Sequence, residues 1–352
     1  MFICCGTNMN LIMKSSRFLL LVDNFCRVSR LAGRRYKSGR PQNETTSNII
    51  TFDSMREEVY EELENKEKVC GIQWTRFPGL NRLLKGHRSS ELSLLTGLTG
   101  CGKTTFLSEY SLDLCQSGVN TLWGSFEVKN VRLSKMMLCQ FAGTKFHGGD
   151  LGDFNYFANQ FSKLPMYYMN FHGSQDLKDV ISTMSKSVSE LNVKHVIIDN
   201  IQFMIGNSYH GNNKMSRFDY QDVVVGAFRQ FATSQNCHIT MVIHPRKEVG
   251  EELTNNSIFG GGKAIQEADN IMILQKKTNG QGFKSRKYIE VTKNRFDGDL
   301  GLVPLTFDKH TLSYRTKTGA FNNTDEPAFD ITNEPSIDYA VTYGVDKNLV
   351  PN

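Results

Sequence analysis

Gly97, Gly102, Lys103 and Thr104 stand at the spacing G-x-x-x-x-G-K-[ST], within Gly97-Leu98-Thr99-Gly100-Cys101-Gly102-Lys103-Thr104. The chemistry this spacing suits is the cradling of a phosphate chain. Glycines let backbone N–H groups curl round an anion where a side chain would clash. A helix that follows directs its positive N-terminus at the same anion. Lys103 is placed to reach the outer phosphates of such a chain, and the Thr104 hydroxyl to hold Mg²⁺. Gly100 and Thr105 belong to the same predicted nucleotide-binding set. The competing reading is a Gly-rich turn with no ligand. Against it stand an apolar, strand-like run before the loop, Leu92 to Thr96, and a helix-like run after it, Thr105 to Gln116. The motif requires that context.

Other residues fit the needs of phosphoanhydride hydrolysis. His195-Val-Ile-Ile-Asp199 is an apolar strand ending in an acid. Beside a phosphate loop, Asp199 would hold the Mg²⁺ water shell with Thr104; the plain alternative is an acid that ends a buried strand. Glu127 closes another strand candidate, where a carboxylate can take a proton from an attacking water. Taken alone it is equally an ordinary strand-ending acid. Lys293 and Arg295, two apart on a strand, point the same way and bring positive charge. They are either a surface pair or a contribution to an adjacent subunit's nucleotide. His244 in isolation reads as a packed core histidine.

These side chains need elements to position them. Strand candidates recur at Thr121 to Phe126, Met166 to Asn170, Val196 to Asp199, His238 to Ile243 and Asn270 to Leu274. Between them lie runs of helical length and periodicity, among them Asp176 to Glu190 and Phe218 to Gln235. Such alternation predicts an α/β fold, a twisted, mostly parallel sheet with helices on both faces. Tyr288 to Lys293, Leu302 to Phe307 and Thr311 to Arg315 then predict a closing antiparallel meander. Upstream, Ser54 to Lys66 opens on a serine cap and glutamates and predicts a short helix. Its apolar residues Met55, Val59, Tyr60 and Leu63 share one face, which calls for a partner in its own domain or in a neighbouring subunit.

Net charge is +5, but it is unevenly spread. Residues 1–40 carry eight Lys and Arg against Asp23 alone, the make-up of a mitochondrial transit peptide, with a basic arm as the alternative. Residues 316–352 hold six acids against Lys317 and Lys347 and predict a disordered acidic tail. The middle is nearly balanced, so any nucleic-acid surface must be local. No apolar stretch is long enough to span a membrane. The eight cysteines form no C-x-x-C pair, which leaves zinc unsupported and favours a reducing compartment. The domain plan is thus a transit peptide at 1–40, a linker with a docking helix at 41–70, an α/β core at 71–315, and the tail at 316–352.

Five motifs occur in order: the phosphate loop with Gly-Ser-Phe-Glu127; Val-Ile-Ile-Asp199-Asn-Ile-Gln202; Val-Ile-His244-Pro-Arg-Lys247; Phe259-Gly-Gly-Gly-Lys-Ala-Ile-Gln-Glu-Ala-Asp269; and Lys293-Asn-Arg295-Phe-Asp-Gly-Asp299. Over residues 54–315 this succession resembles the DnaB-type, RecA-like hexameric replicative helicases, in the branch of mitochondrial and phage enzymes. The resemblance implies a RecA-like P-loop NTPase core and an ATP-dependent, 5′-to-3′ DNA helicase. It makes Glu127 the catalytic base, His244 a sensor of the γ-phosphate, and Lys293 and Arg295 the completion of a neighbour's ATP site. Phe307 becomes the aromatic stacking on the base. Arg246, Lys247, Gly260, Gly261, Gly262 and Lys263 become the channel segments that bind DNA, and the helix at 54–66 docks on the next subunit.

Implied partners are single-stranded and forked DNA, further copies in a hexameric or heptameric ring, and a mitochondrial DNA polymerase and single-strand binding protein. The implied location is the mitochondrial matrix nucleoid. Members usually carry a primase-like half before the linker, whereas residues 1–53 precede the helix here, so no priming activity is expected of this chain. Two alternatives stay open: a RecA/RadA-type recombinase forming filaments, and a replisome adaptor that does not unwind.

Overall fold

Neighbouring apolar residues along each central strand face opposite sides of the sheet, and each side has its own core. The computed structural model describes residues 50–64, 70–146, 152–205, 217–246, 252–259, 262–278 and 285–314. The predicted transit peptide, the acidic tail, Lys247, Gly260 and Gly261 lie outside them. In chain order the elements are α1 (Phe52–Glu64), α2 (Pro78–Leu84), β1 (Leu92–Gly97), α3 (Lys103–Gln116), β2 (Thr121–Ser125) and α4 (Asn130–Ala142). There follow α5 (Phe154–Phe161), β3 (Met166–Tyr168), α6 (Leu177–Leu191), β4 (His195–Asp199), α7 (Gln202–Ile205), α8 (Arg217–Ser234) and β5 (His238–Val242). The last are α9 (Gly262–Glu267), β6 (Asn270–Thr278), β7 (Ser285–Asn294) and β8 (Gly301–Leu305).

The eight strands form one sheet in the order β3-β2-β4-β5-β1-β6-β7-β8. The first six run parallel; β7 is antiparallel to β6, and β8 to β7. This is the predicted mostly parallel, RecA-like arrangement with its antiparallel end. On one face Leu94, Ile198, Met241, Ile271 and Ile273 pack with Val180 and Met184 of α6 and Val224 and Phe228 of α8. On the other, Leu95, Ile197, Val242, Met272 and Leu274 pack with Phe106 and Tyr110 of α3, Leu133 and Met137 of α4, and Leu80 and Leu84 of α2. The period of two along each strand thus fills both layers, as a sheet covered on both faces requires.

The described residues divide into two units after Tyr60. Helix α1 crosses that boundary, and its Phe52, Val59, Tyr60 and Leu63 are exposed. Among the described residues no helix is long and apolar enough to cross a membrane.

One expectation fails. Residues 311–314 do not extend the meander; a single antiparallel bridge joins Asp308 and Ser313, and the segment folds back as a hook. Its backbone groups find side-chain partners instead of a strand: the Gln140 amide donates to the Leu312 carbonyl at 2.9 Å, and the Tyr314 N–H donates to the Glu109 carboxylate. Leu312 is also left-handed, with φ of 58°, which breaks an extended run.

The other end of the sheet from the phosphate loop buries three histidines together. His195 and His238 open β4 and β5, and His87 stacks on His238 at 4.1 Å between ring centroids and meets His195 edge-on at 4.6 Å. Neither nitrogen of His87 has a hydrogen-bond partner. Burial drives all three below the ordinary imidazole value of 6.5. The unfolded chain therefore takes up these protons first, so stability is intact above pH 6.5 and is lost as pH falls below it. Each proton contributes a slope of about 1.4 kcal/mol per pH unit. Denaturant titrations from pH 8 to 5.5 should show this acid limb, and His87→Leu should flatten it by about one proton. An unchanged slope in the variant would contradict the assignment.

Candidate active site

The phosphate loop leaves the C-terminal end of β1 and enters α3 at Lys103. Gly100 and Gly102 take φ of 76° and 105°, left-handed values that L side chains rarely adopt. A Cβ on Gly100 would meet no atom within 4 Å, so that side of the loop is open to a ligand. The Lys103 ammonium is buried and turned onto the loop's own carbonyls, donating to Gly97 at 2.8 Å and Leu98 at 3.1 Å. Thr105 follows in the first turn of α3, and its carbonyl accepts from the Gln140 amide at 3.2 Å.

Asp199 ends β4 and accepts the Thr104 hydroxyl at 2.6 Å. This bond ties the helix after the phosphate loop to β4, across the intervening β5. Asp199 is 2% exposed. Burial pushes its carboxyl up to about 6, with the Glu127 charge adding to the rise; the Thr104 bond and Lys103 oppose it. A hydroxyl and a carboxylate side by side are hard oxygen donors, the set that suits Mg²⁺.

Glu127 lies two residues beyond β2 with its side chain 51% exposed, and His244 lies two residues beyond β5. Asn200 joins them. Its amide nitrogen lies 2.8 Å from Glu127 Oε2, to which it donates, and 2.9 Å from His244 Nε2. Donation to Nε2 makes that nitrogen an acceptor and so places the ring proton on Nδ1. Burial lowers the His244 pKa, and the nearby Lys103 charge lowers it further, consistent with a neutral ring. Sequence reasoning quoted Asn200 only as the neighbour of Asp199. An amide directly after a strand-ending acid was the available signal.

The remaining predicted residues divide into separate groups. Phe307 is half-buried, its ring 5.0 Å from that of Tyr314 and 5.5 Å from the Lys287 ammonium. Lys293 and Arg295 lie at the other end of the sheet. Asn294 pairs with Asn270, which pairs with Ser93 at the start of β1, whereas Gly97 pairs with Leu274. There Lys293 donates to the carbonyls of Ile265 and Gln266 at 2.6 and 3.2 Å. Arg295 donates to Asp269 at 2.9 Å and to the Gln266 carbonyl at 2.6 Å, and Arg229 shares the same carboxylate. Arg295 keeps a side chain 51% exposed.

Arg246 is exposed beside the bridge between Pro245 and Ile258, its N–H donating to the Ser257 carbonyl at 2.7 Å. Gly262 opens α9 rather than lying in a loop, and Lys263 is in that helix's first turn. Lys247, Gly260 and Gly261, predicted with them, lie outside the described residues.

A family profile described as an AAA domain matches residues 60–250. Among solved structures, one described as an ATPase domain superposes with a TM-score of 0.65 and 17% identity, over 76% of this chain and 99% of that one. Another, titled "The Structure Of A DnaB-Like Replicative Helicase And Its Interactions With Primase", gives 0.61 and 16% identity, over 83% of this chain and 70% of that one.

Holding Asp199 ionised while buried costs about 3 kcal/mol at neutral pH, from a shift of about two units at 1.36 kcal/mol each. Asp199→Asn keeps an acceptor for Thr104 and removes the charge. It should stabilise the ligand-free protein by about 1–3 kcal/mol. The gain should be present above pH 6 and fade as pH falls toward 3.8, the ordinary carboxyl value. Urea unfolding at pH 7.5 and 4.5 measures both; no gain at pH 7.5 would contradict the burial argument.

Proposed function

The chain belongs to the AAA domain family, and from that premise we propose that it is an ATP-hydrolysing DNA helicase of the DnaB type that works as a ring. The observation carrying the reading is a division of chemistry-bearing side chains between the two ends of one sheet. Lys103, Thr104, Asp199, Glu127, Asn200 and His244 gather where β1, β2, β4 and β5 end. Lys293 and Arg295 sit at the other end, too far to serve the nucleotide of their own subunit. A second copy brings the two halves together.

In this reading ATP lies in the phosphate loop, with Lys103 leaving the Gly97 and Leu98 carbonyls for its outer phosphates. Mg²⁺, held by Thr104 and Asp199, supplies positive charge against those phosphates. Glu127 takes a proton from the attacking water. Asn200 holds Glu127 and His244 to one another, so a change at the γ-phosphate alters both. Phe307 stacks on the base. The neighbour's Lys293 and Arg295 bring the cations that stabilise charge in the transition state. His244 is also the start of the segment to Arg246 and accepts Phe259 N–H through its carbonyl at 3.2 Å. Arg246, Lys247, Gly260, Gly261, Gly262 and Lys263 contact the DNA backbone along that route.

The finer reading is a mitochondrial replicative helicase of the Twinkle kind. It moves 5′ to 3′ in the matrix nucleoid, as a hexamer or heptamer, beside a DNA polymerase and a single-strand binding protein. Its supports are the order of the motifs and the basic composition of residues 1–40. Helix α1, with its exposed apolar residues, docks on the next subunit.

Lys103→Ala should lose ATP turnover and fork unwinding together. Wild-type protein inactive in both assays would favour the adaptor, and filaments on single-stranded DNA in place of rings would favour the recombinase. Arg295→Ala should bind ATP normally, lose about 10³-fold in hydrolysis, and poison wild-type subunits when mixed with them. Normal hydrolysis by this variant would refute the role given to Arg295.

A further inference from the structure

Lys287, on β7, has no part in the reading above, yet its ammonium reaches the phosphate loop. It donates to the Cys101 carbonyl at 2.8 Å and to the Tyr314 hydroxyl at 3.2 Å. The peptide joining Cys101 to Gly102 is planar, so its C=O and N–H point in opposite directions. A cation fixed on the Cys101 oxygen therefore directs the Gly102 N–H to the side away from Lys287. The N–H just before Lys103 is among those with which a phosphate loop grips its anion.

Tyr314 guards the same peptide. Its hydroxyl would lie 2.5 Å from a Cβ on Gly102, so it sits directly over that residue. Tyr314 is 1% exposed and is held on the loop's own helix, its N–H donating to Glu109 of α3. Glu109 is in turn 3.4 Å from the Arg76 guanidinium. Lys287, Tyr314 and the loop thus form a connected unit: β7 supplies the cation, the hook supplies the hydroxyl, and α3 holds the hook.

We propose that Lys287 and Tyr314 are positioning residues that hold the Cys101–Gly102 peptide in its anion-binding orientation, so that the loop is set for triphosphate before nucleotide arrives. The proposal rests on the ATP-binding reading. It assigns Lys287 a role through the peptide and no contact with the reacting atoms. Its expected effect therefore falls on nucleotide affinity and spares the chemical step.

The test uses the full chain, a fluorescent non-hydrolysable ATP analogue for equilibrium binding, and steady-state hydrolysis with single-stranded DNA. Lys287→Met should weaken analogue binding about tenfold, the size expected for loss of a charged hydrogen bond, and raise KM alike, with kcat within about twofold. Lys287→Arg, which still donates to a carbonyl, should restore most of the affinity. Tyr314→Phe should weaken binding about threefold. Lys287→Met binding like wild type, or losing kcat at unchanged KM, would overturn the proposal. Wild type that binds no more analogue than Lys103→Ala would instead defeat the ATP reading beneath it. With wild type binding and Lys103→Ala not binding, an unaffected Lys287→Met defeats this proposal alone.

Discussion

A buried carboxylate must have donors, and the hydrogen bond from Thr104 to Asp199 is the one around which the candidate site is built. It links the helix that follows the phosphate loop to a strand two places away in the sheet. Both ends are fixed by packing: β4 is buried along its whole length, and α3 presses Phe106, Leu107 and Tyr110 into the core. The carboxyl is thereby held in an environment that raises its pKa to about 6. A cation beside it would relieve that cost. The fold keeps a charge where only a ligand makes it comfortable, a common arrangement at functional sites.

Much of this arrangement could be read from residue order. A parallel sheet needs strands that are apolar on both faces, and Val196-Ile197-Ile198 or Ile271-Met272-Ile273 announce this without any alternation to interpret. Because parallel strands all end on one side, strand-ending residues such as Asp199, and Glu127 and His244 just beyond, converge with the loop after β1. Their proximity thus follows from topology. What topology leaves open is which groups touch. Asn200 is marked only by following a strand-ending acid, and its bridge between Glu127 and His244 depends on side-chain directions that period and composition do not encode. The hook at Phe307–Tyr314 escaped for a related reason. Phe307, Thr311 and Tyr314 favour strands, but Glu109 and Gln140, more than 170 positions earlier, take its backbone groups.

The placement of Lys293 and Arg295 reflects the same topology. A strand antiparallel to its neighbours ends where they begin, so residues at the end of β7 are carried away from the phosphate loop. In the single chain both cations rest on α9 carbonyls and Asp269. Their donors are occupied, yet the Arg295 side chain remains half-exposed. Helix α9 begins at Gly262 and Lys263 and ends at the carbonyls that hold the pair. One short helix therefore connects the proposed DNA segment to the proposed trans-acting cations.

In the proposed ring the hydrolytic site is completed only when two copies meet. The most direct measurement is the ATP turnover rate per subunit as the protein is diluted, with its assembly state followed in the same samples by mass photometry. Completion of the site by a second copy requires that the rate per subunit fall together with the oligomer and approach zero for the isolated chain. A rate per subunit that stays constant down to the monomer would contradict it.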